Sequence, residues 1–243
     1  MNTRSLPTHR EYNMSRWRVA SRVIFRREGF HSYVIDVATE RERIGEIVFC
    51  DTGKEFPAMY KHIDKVEKYI GRPITRLKSK SFDYWMFDHV KTKGKHKGKK
   101  GYGWPDFRAR WCTAALKRDI YKKHFGGYDN IIEYHGIAKD EAERTKKNKT
   151  KNRNIKYPLV EWGITEKEAL EYCYAHGFDW DGLYEQFARV SCWCCPLQRI
   201  RELRLLYLHF SSLWAELKDM DSRAFNQFRA DYSVQDLENR FKE

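Results

Sequence analysis

The feature that most constrains the fold of this 243-residue chain is a short apolar run, EIVFC at 46–50, followed directly by Asp51, Thr52 and Gly53. Such a run indicates a buried strand, and the polar residues and glycine behind it indicate a loop at the carboxyl end of that strand. Pro57 then suits a first helical turn, apolar residues follow at helical spacing, and Gly71 marks a stop. The sequence therefore predicts a strand, a loop and a helix in immediate succession.

The same alternation continues along the chain. Two further strands are predicted at 74–77 and 130–138, and two further helices at 110–125 and 164–177. Thr165 and Glu168 have the spacing of a capping box, and Ser233 is suited to cap a last helix. We therefore expect an α/β fold, a parallel sheet with helices on both faces, in a single domain (1–243) with a helical C-terminal region (196–243).

The composition excludes a membrane-spanning chain. No run approaches the roughly 20 apolar residues that a span needs, and the basic N-terminus lacks the apolar region of a secretory signal. We expect a soluble, cytoplasmic protein.

The net charge of +13 is concentrated in two runs, KTKGKHKGKK at 91–100 and RTKKNKTKNRNIK at 144–156. Neither run has apolar periodicity, so both are predicted to be mobile, solvated loops. Loops of this kind often serve only solubility. They also attract phosphate, which makes a nucleotide or the backbone of a nucleic acid a candidate partner.

The six cysteines are not expected to form disulfides in a reducing compartment. Cys192 and Cys195 form a C-x-x-C just before Pro196, a spacing that lets two thiolates hold one metal ion or cluster iron. Cys50 lies within a predicted strand and is expected to pack as a small hydrophobic residue. Ligand identity alone leaves zinc and a 4Fe–4S cluster both open.

Five segments, in order, resemble the phosphoadenosine phosphosulfate (PAPS) reductase family: FCDTGKEFPAMY, RWCTAALKRD, GIAKDEAER, YPLVEWGITEKEALEY and VSCWCCPL. The resemblance runs from about Ile44 to Leu197 and implies the fold of the adenine-nucleotide α-hydrolases. It also implies ATP or PAPS lying across the carboxyl ends of the strands. The residues that the resemblance assigns to this nucleotide are Asp51, Thr52 and Gly53 at the strand end, with Arg110, Lys117 and Arg144 as cations for phosphate or sulfate.

The resemblance also implies a metal centre. Cys112 in Arg-Trp-Cys-Thr and the later C-x-x-C-P are similar to the cluster ligands of DNA phosphorothioation sulfurtransferases and related iron–sulfur members. Cys173 or Cys194 could supply a fourth ligand beside Cys112, Cys192 and Cys195. Cys173 is our choice, because Cys194 lies inside the C-x-x-C and should point away from its neighbours.

One element of the resemblance is missing. Members of the family begin with a strand and Ser-Gly-Gly-Lys-Asp-Ser, a turn that wraps phosphate with backbone N–H groups. This chain has Phe25-Arg26-Arg27-Glu28-Gly29-Phe30 there. Bulky arginines cannot adopt a turn that needs small residues, so the segment 1–43 is predicted to lack the phosphate loop.

The genetic code suggests an origin for this segment. Codons that encode 25–31 as written can be chosen so that a shift of one nucleotide spells Ser-Gly-Gly-Lys-Asp-Ser. Our hypothesis is that roughly 22–43 is an out-of-frame image of the loop, the alternative being a natural loss by substitution. The coding nucleotides would decide between them.

Two functions remain open at this stage. The first is adenine-nucleotide-dependent sulfur transfer or nucleotide activation, aided by a cysteine-bound metal or iron–sulfur centre. The second is a nucleic-acid-binding or nucleic-acid-thiolating protein that uses the basic loops 91–100 and 144–156, with a vestigial nucleotide site. The C-terminal DLENRFKE has no cysteine, so the reductases that use a cysteine in a C-terminal Glu-Cys-Gly-Leu are not matched.

Overall fold

The computed structural model describes residues 21–25, 44–126, 131–146 and 154–243. The segment 26–43, where the phosphate loop is predicted to be missing, lies outside the described residues. So does 147–153, the middle of the second basic run.

The core of the fold is a five-stranded sheet in which every pairing is parallel. Its order is β3-β2-β1-β4-β5. The strands are β1 (Ser21–Phe25), β2 (Ile44–Asp51), β3 (Ile74–Lys78), β4 (Ile132–Tyr134) and β5 (Asn154–Lys156). The predicted strands at 46–50 and 74–77 are thus confirmed, while β4 is shorter than predicted.

The strand order fixes where a ligand can bind. The chain moves from β1 to one edge through β2 and β3, and then returns to place β4 and β5 on the other side of β1. Parallel sheets bind ligands outside the carboxyl ends of their strands, where the order reverses. In this protein that point lies between β1 and β4, beside the loop that leaves β2.

Helices cover both faces of the sheet, as the sequence predicts. Ile47 of β2 packs in a large apolar cluster with Met59, Ile63 and Val66 of α1 (Pro57–Ile70). Val48 and Cys50 point the other way, into a smaller cluster with aromatic residues of a second helix. This alternation follows from the two-residue period of a strand.

The second helix is not regular throughout. It runs from α2 (Trp111–Thr113) through a π-helical turn (Ala114–Arg118) into α3 (Asp119–Phe125). π-Helical turns within α-helices are often found at functional sites. This one carries Lys117, a predicted phosphate-binding residue.

The rest of the described part holds a π-helical turn (Tyr84–Asp88), two 3-10 turns (Lys139–Glu141 and Trp180–Gly182), short helices and a helical C-terminal region. The helices are α4 (Glu143–Lys146), α5 (Pro158–Glu161), α6 (Glu166–Ala175), α7 (Leu183–Gln186), α8 (Ile200–His209), α9 (Ser211–Arg223) and α10 (Val234–Lys242). The capping boxes at Thr165 and Ser233 are both formed. None of the helices in the described ranges is long and apolar enough to cross a membrane.

Candidate functional site at the carboxyl edge of the sheet

The loop that leaves β2 is held by Asp51. This buried carboxylate accepts hydrogen bonds from the backbone N–H of Gly53 and the hydroxyl of Tyr60, each at 2.8 Å, and lies 3.1 Å from the ammonium of Lys78. Gly53 has a φ of +74°, which allows the sharp turn. Burial, together with the hydrogen bond to Asp51, raises the pKa of Tyr60. Asp51 therefore shapes the loop that carries Thr52 and Gly53.

Thr52, Glu55 and Cys192 meet just beyond this turn. The hydroxyl of Thr52 donates to Glu55 Oε1 at 2.9 Å and lies 3.5 Å from Cys192 Sγ. The Cys192 thiol also donates to Glu55 Oε1 at 3.5 Å. These contacts join the β2 loop to a cysteine 140 residues away in sequence.

Glu55 is a buried carboxylate beside Cys192. Its side chain is 3% exposed, and Lys117 Nζ lies 3.9 Å from its Oε1. Its second oxygen, Oε2, is buried and accepts no hydrogen bond from the described residues. A buried carboxylate with a free oxygen is costly to desolvate. It thus offers an acceptor beside Cys192 to a group that enters the site.

The cysteine loop, 192–198, is fixed by its backbone. The N–H of Trp193 donates to the carbonyl of Lys54 at 3.0 Å, and the N–H of Cys195 donates to the carbonyl of Cys192 at 3.0 Å. The buried amide of Gln198 donates to the same Cys192 carbonyl at 2.8 Å. These bonds leave the thiols of Cys192 and Cys195 half-buried and bury Cys194 completely.

Cys112 comes to the same region on α2. Burial raises the pKa of its thiol, and the charges of Lys117 and Arg110 oppose that shift. Burial also raises the pKa of Cys194 well above its ordinary value. The charge of Lys54 opposes the rise, while the nearby groups of Cys195, Glu55 and Cys112 add to it. Cys112 and Cys195 therefore both act on Cys194, and Cys112 packs against the apolar cluster that contains Cys194.

The predicted metal ligands are thus distributed unevenly. Cys192 contacts Thr52 and Glu55 of the β2 loop, and Cys194, which sequence reasoning set aside, is buried within electrostatic reach of Cys112 and Cys195. Cys173 is fully buried on α6, where it packs in the large apolar cluster. In the described ranges, no three His, Cys, Asp or Glu side chains are arranged to hold a metal ion.

Lys54 holds the loop against two other parts of the fold. Its buried ammonium lies 2.7 Å from Glu216 on α9 and 3.1 Å from Asp83, and 5.3 Å from the ring centre of Trp193. Burial by itself would lower the pKa of Lys54, but the hydrogen bond to Glu216 and the charge of Asp83 raise it above the ordinary value. The helical C-terminal region therefore contacts the β2 loop and helps to hold the candidate site in place.

The predicted cations take different positions. Arg110 is exposed at the start of α2, and Lys117 points toward Glu55 from the π-helical turn, so both lie beside Cys112. Arg144 lies on α4, past the end of β4, and pairs with Glu141. The roles of all three in phosphate binding stay predictions.

Sequence reasoning missed several residues of the site. Lys54 and Glu55 follow Asp51-Thr52-Gly53 directly, so their position in the motif was a usable signal. Glu216 had none, because it is one polar residue on an amphipathic helix. The buried pair of His135 and Glu133, 3.1 Å apart at the carboxyl end of β4, was also unforeseen.

Comparison with known proteins identifies the type of domain. A family model described as the phosphoadenosine phosphosulfate reductase domain matches residues 29–198, well over half of the chain. The match ends in the cysteine loop and covers the β2 loop, α2 and Cys112.

Two proteins of the archaeon Methanocaldococcus jannaschii are similar in sequence. Uncharacterized protein MJ0066 is 28% identical over 192 residues, covering 72% of this chain and 35% of the relative. Uncharacterized protein MJ0973 is 24% identical over 181 residues, covering 71% of this chain and 39% of the relative. The chain thus spans less than half the length of either relative.

Proposed function

Because the chain belongs to the phosphoadenosine phosphosulfate reductase family, we propose that it binds an adenine nucleotide, ATP or PAPS, at the carboxyl edge of its sheet and transfers sulfur at the adjoining cysteines. The observation that carries this proposal is the contact of Cys192 with Thr52 and Glu55. It brings a half-buried thiol to the strand end where α/β sheets bind ligands.

Each part of the site has a role in this proposal. Arg110 and Lys117 supply positive charge for phosphate or sulfate groups, since guanidinium and ammonium groups pair with such oxygens. Thr52 and Glu55 hold the thiol of Cys192 in place. The backbone bonds of the cysteine loop keep Cys192 and Cys195 accessible while Cys194 stays in the core.

The transfer step that we propose is an exchange at sulfur. The Cys192 thiolate attacks the outer sulfur of a small-molecule persulfide, the S–S bond breaks, and the donor leaves as a thiol. Cys192 then carries the persulfide, and no net oxidation or reduction occurs.

Mass spectrometry tests this step directly. The chain is incubated with glutathione persulfide, digested, and searched for one added sulfur on the Cys192 peptide. We expect the added sulfur in the parent and in Cys50→Ala, whose thiol lies in the smaller apolar cluster, and its loss in Cys192→Ser. Equal labelling of all three proteins, or none, would contradict the proposal.

Calorimetry tests the nucleotide. Without a phosphate loop there are no backbone N–H donors for the phosphates, and the cations alone must compete with water. The chain as written should therefore bind ATP or PAPS weakly. A chain in which 22–43 is replaced by the frame-restored segment should bind more tightly, and Arg110→Gln with Lys117→Gln should weaken that gain. No binding by the restored chain would refute the nucleotide site.

A zinc ion or 4Fe–4S cluster at Cys112, Cys192 and Cys195 stays a separate prediction, with Cys173 as the predicted fourth ligand. Thiolates suit either group, but the side chains as positioned do not form a ligand set, and the sulfur exchange at Cys192 needs no metal. Anaerobic purification followed by metal analysis checks it, because a cluster absorbs visible light and zinc does not.

A further inference from the structure

The first basic run forms a hydrogen-bonded hairpin and not the mobile loop that its composition predicts. Val90 and Lys100 form an antiparallel bridge, and the N–H of Lys91 donates to the carbonyl of Lys99 at 3.0 Å. Gly94 and Gly98, with φ of +75° and +83°, form its turns. We call this segment, 90–100, the lysine hairpin.

The lysine hairpin carries a dense positive charge that the described residues do not neutralise. Its six lysines are Lys91, Lys93, Lys95, Lys97, Lys99 and Lys100, and all but the first are exposed. No carboxylate of the described residues lies within ion-pair distance of them. Because like charges on so short a segment repel, an anionic partner would relieve the repulsion.

Aromatic rings line the base of the lysine hairpin. Ring centres are 4.4 Å apart for Trp85 and His89, 5.0 Å for His89 and Tyr102, and 5.8 Å for Tyr102 and Trp111. All four side chains are only partly buried. We call these residues the aromatic strip. Lys91 lies over Tyr102, with its ammonium 5.6 Å from the ring centre, so charge and rings adjoin.

The aromatic strip leads from the hairpin to the candidate site. Trp111 at its end donates from its indole N–H to the carbonyl of Gly103 at 3.0 Å, which ties the start of α2 to the segment behind the hairpin. The next residue is Cys112, which packs against the apolar cluster that contains Trp193 and Cys194 of the cysteine loop. A strand that followed the rings would therefore reach the cysteines.

We propose that the lysine hairpin and the aromatic strip bind single-stranded nucleic acid, with phosphates on the lysines and bases stacked against the rings. Lysines follow the backbone charge without reading sequence, and aromatic side chains stack on bases only where these are unpaired. A role of this nucleic acid as the acceptor of sulfur rests on the proposed function. Its binding to the hairpin and the strip does not.

An anionic membrane is the less suitable partner for this surface. Basic segments that enter a membrane present large apolar side chains beside their charges. The tip of the lysine hairpin, Lys93–Lys97, has only lysine, glycine and histidine. The aromatic rings lie at the base, where Tyr102 is stacked with Trp85 and Trp111 and tilted against His89.

Fluorescence anisotropy with the full chain tests the proposal. The probes are fluorescein-labelled oligouridine and oligothymidine of about 20 nucleotides, longer than a typical single-strand site, and a duplex of the same length. Lys93→Gln/Lys95→Gln/Lys97→Gln removes three charges from the tip. Lys68→Gln/Lys122→Gln/Lys123→Gln removes three exposed charges elsewhere and serves as the matched control.

We expect the parent and the control variant to bind both single strands and the hairpin variant to bind about 10- to 100-fold more weakly. The dependence of log K on log salt should become shallower by about 2, from three contacts at about 0.7 each. Comparison of oligouridine with oligothymidine shows whether the ligand is RNA or DNA.

Three results would overturn the proposal: no binding of either single strand by the parent, equal loss in the hairpin and control variants, or binding of the duplex as tight as that of the single strands. Hairpin-dependent binding to phosphatidylserine vesicles without binding to the oligonucleotides would also overturn it. ATP and PAPS binding, measured in the same variants of the frame-restored chain, should not change. Failure of the nucleotide site is thereby distinguished from failure of this surface.

Discussion

Lys54→Met should lower the free energy of unfolding less than removal of the two carboxylates that hold Lys54. The lysine side chain is 6% exposed, whereas those of Asp83 and Glu216 are 45% and 46% exposed. Without the ammonium, water still reaches Glu216 and the exposed part of Asp83, although Asp83 Oδ1 itself is buried, and methionine keeps the packing of the lysine stem. We expect a loss of about 1 kcal/mol, as for other half-exposed ion pairs.

The opposite change leaves a charge in the core. In Asp83→Asn/Glu216→Gln the ammonium of Lys54 stays buried without an anionic partner, which costs about 3–5 kcal/mol. Adding Lys54→Met to this double variant removes the buried charge, and it should restore most of the loss.

Urea unfolding followed by tryptophan fluorescence measures all three variants. Lys61→Met is the matched control, because its pair with Asp181 is exposed to solvent and should contribute little to stability. If Lys54→Met is the most destabilising change, or if the triple variant recovers nothing, the argument from desolvation is wrong.

Three further changes can be measured by the same unfolding assay. Burial lowers the pKa of His62 from 6.5 to about 3, so the unfolded chain binds a proton first as the pH falls below 6.5. The free energy of unfolding of the parent should therefore fall by up to about 1.4 kcal/mol per pH unit, and His62→Phe should not show this fall. Parallel pH profiles of the two proteins would contradict this. Hydrogen bonds from Lys218 and Lys242 lower the pKa of Glu238 from 4.5 to about 2, so its contribution to the free energy of unfolding is present above pH 4.5 and is lost toward pH 2. Glu238→Gln should cost about 1–2 kcal/mol at pH 7 and nothing near pH 2. A cost that does not vary with pH would refute the ion pairs. A Cβ at Gly101 would lie 2.3 Å from a backbone oxygen, whereas one at Gly94 would meet nothing within 4 Å. Gly101→Ala should therefore lower the free energy of unfolding by over about 3 kcal/mol, and Gly94→Ala by about 1 kcal/mol. Equal costs would refute the close approach at Gly101.

Local signals predicted the elements well. The apolar run at 46–50, the helix from Pro57 to its left-handed end at Gly71 and the capping boxes at Thr165 and Ser233 all depend on residues that lie close in sequence. The order of the motifs then identified the family, which the match at 29–198 confirms. The π-helical turn at 114–118 was missed, since nothing in the local pattern interrupts a helix there.

The contents of the site were less predictable. The resemblance to the family implied that Thr52, Lys117 and Cys112 lie near the carboxyl edge, where α/β sheets bind ligands. It could not show that Cys194 joins the other cysteines, since the direction of a side chain in a turn depends on backbone hydrogen bonds to distant residues. The bond from Trp193 to Lys54 is one of these.

The sequence by itself determined the class of fold, the strand end at Asp51 and the positive charge of 91–100, because each is recorded in neighbouring residues. Only the tertiary structure decided that Lys54 is held by Glu216, 162 residues away, and that aromatic rings connect the lysine hairpin to Cys112. Periodicity specifies which face of an element is apolar. Which polar groups meet across elements is decided by packing, since each buried charge must find a partner among the residues that the fold brings near.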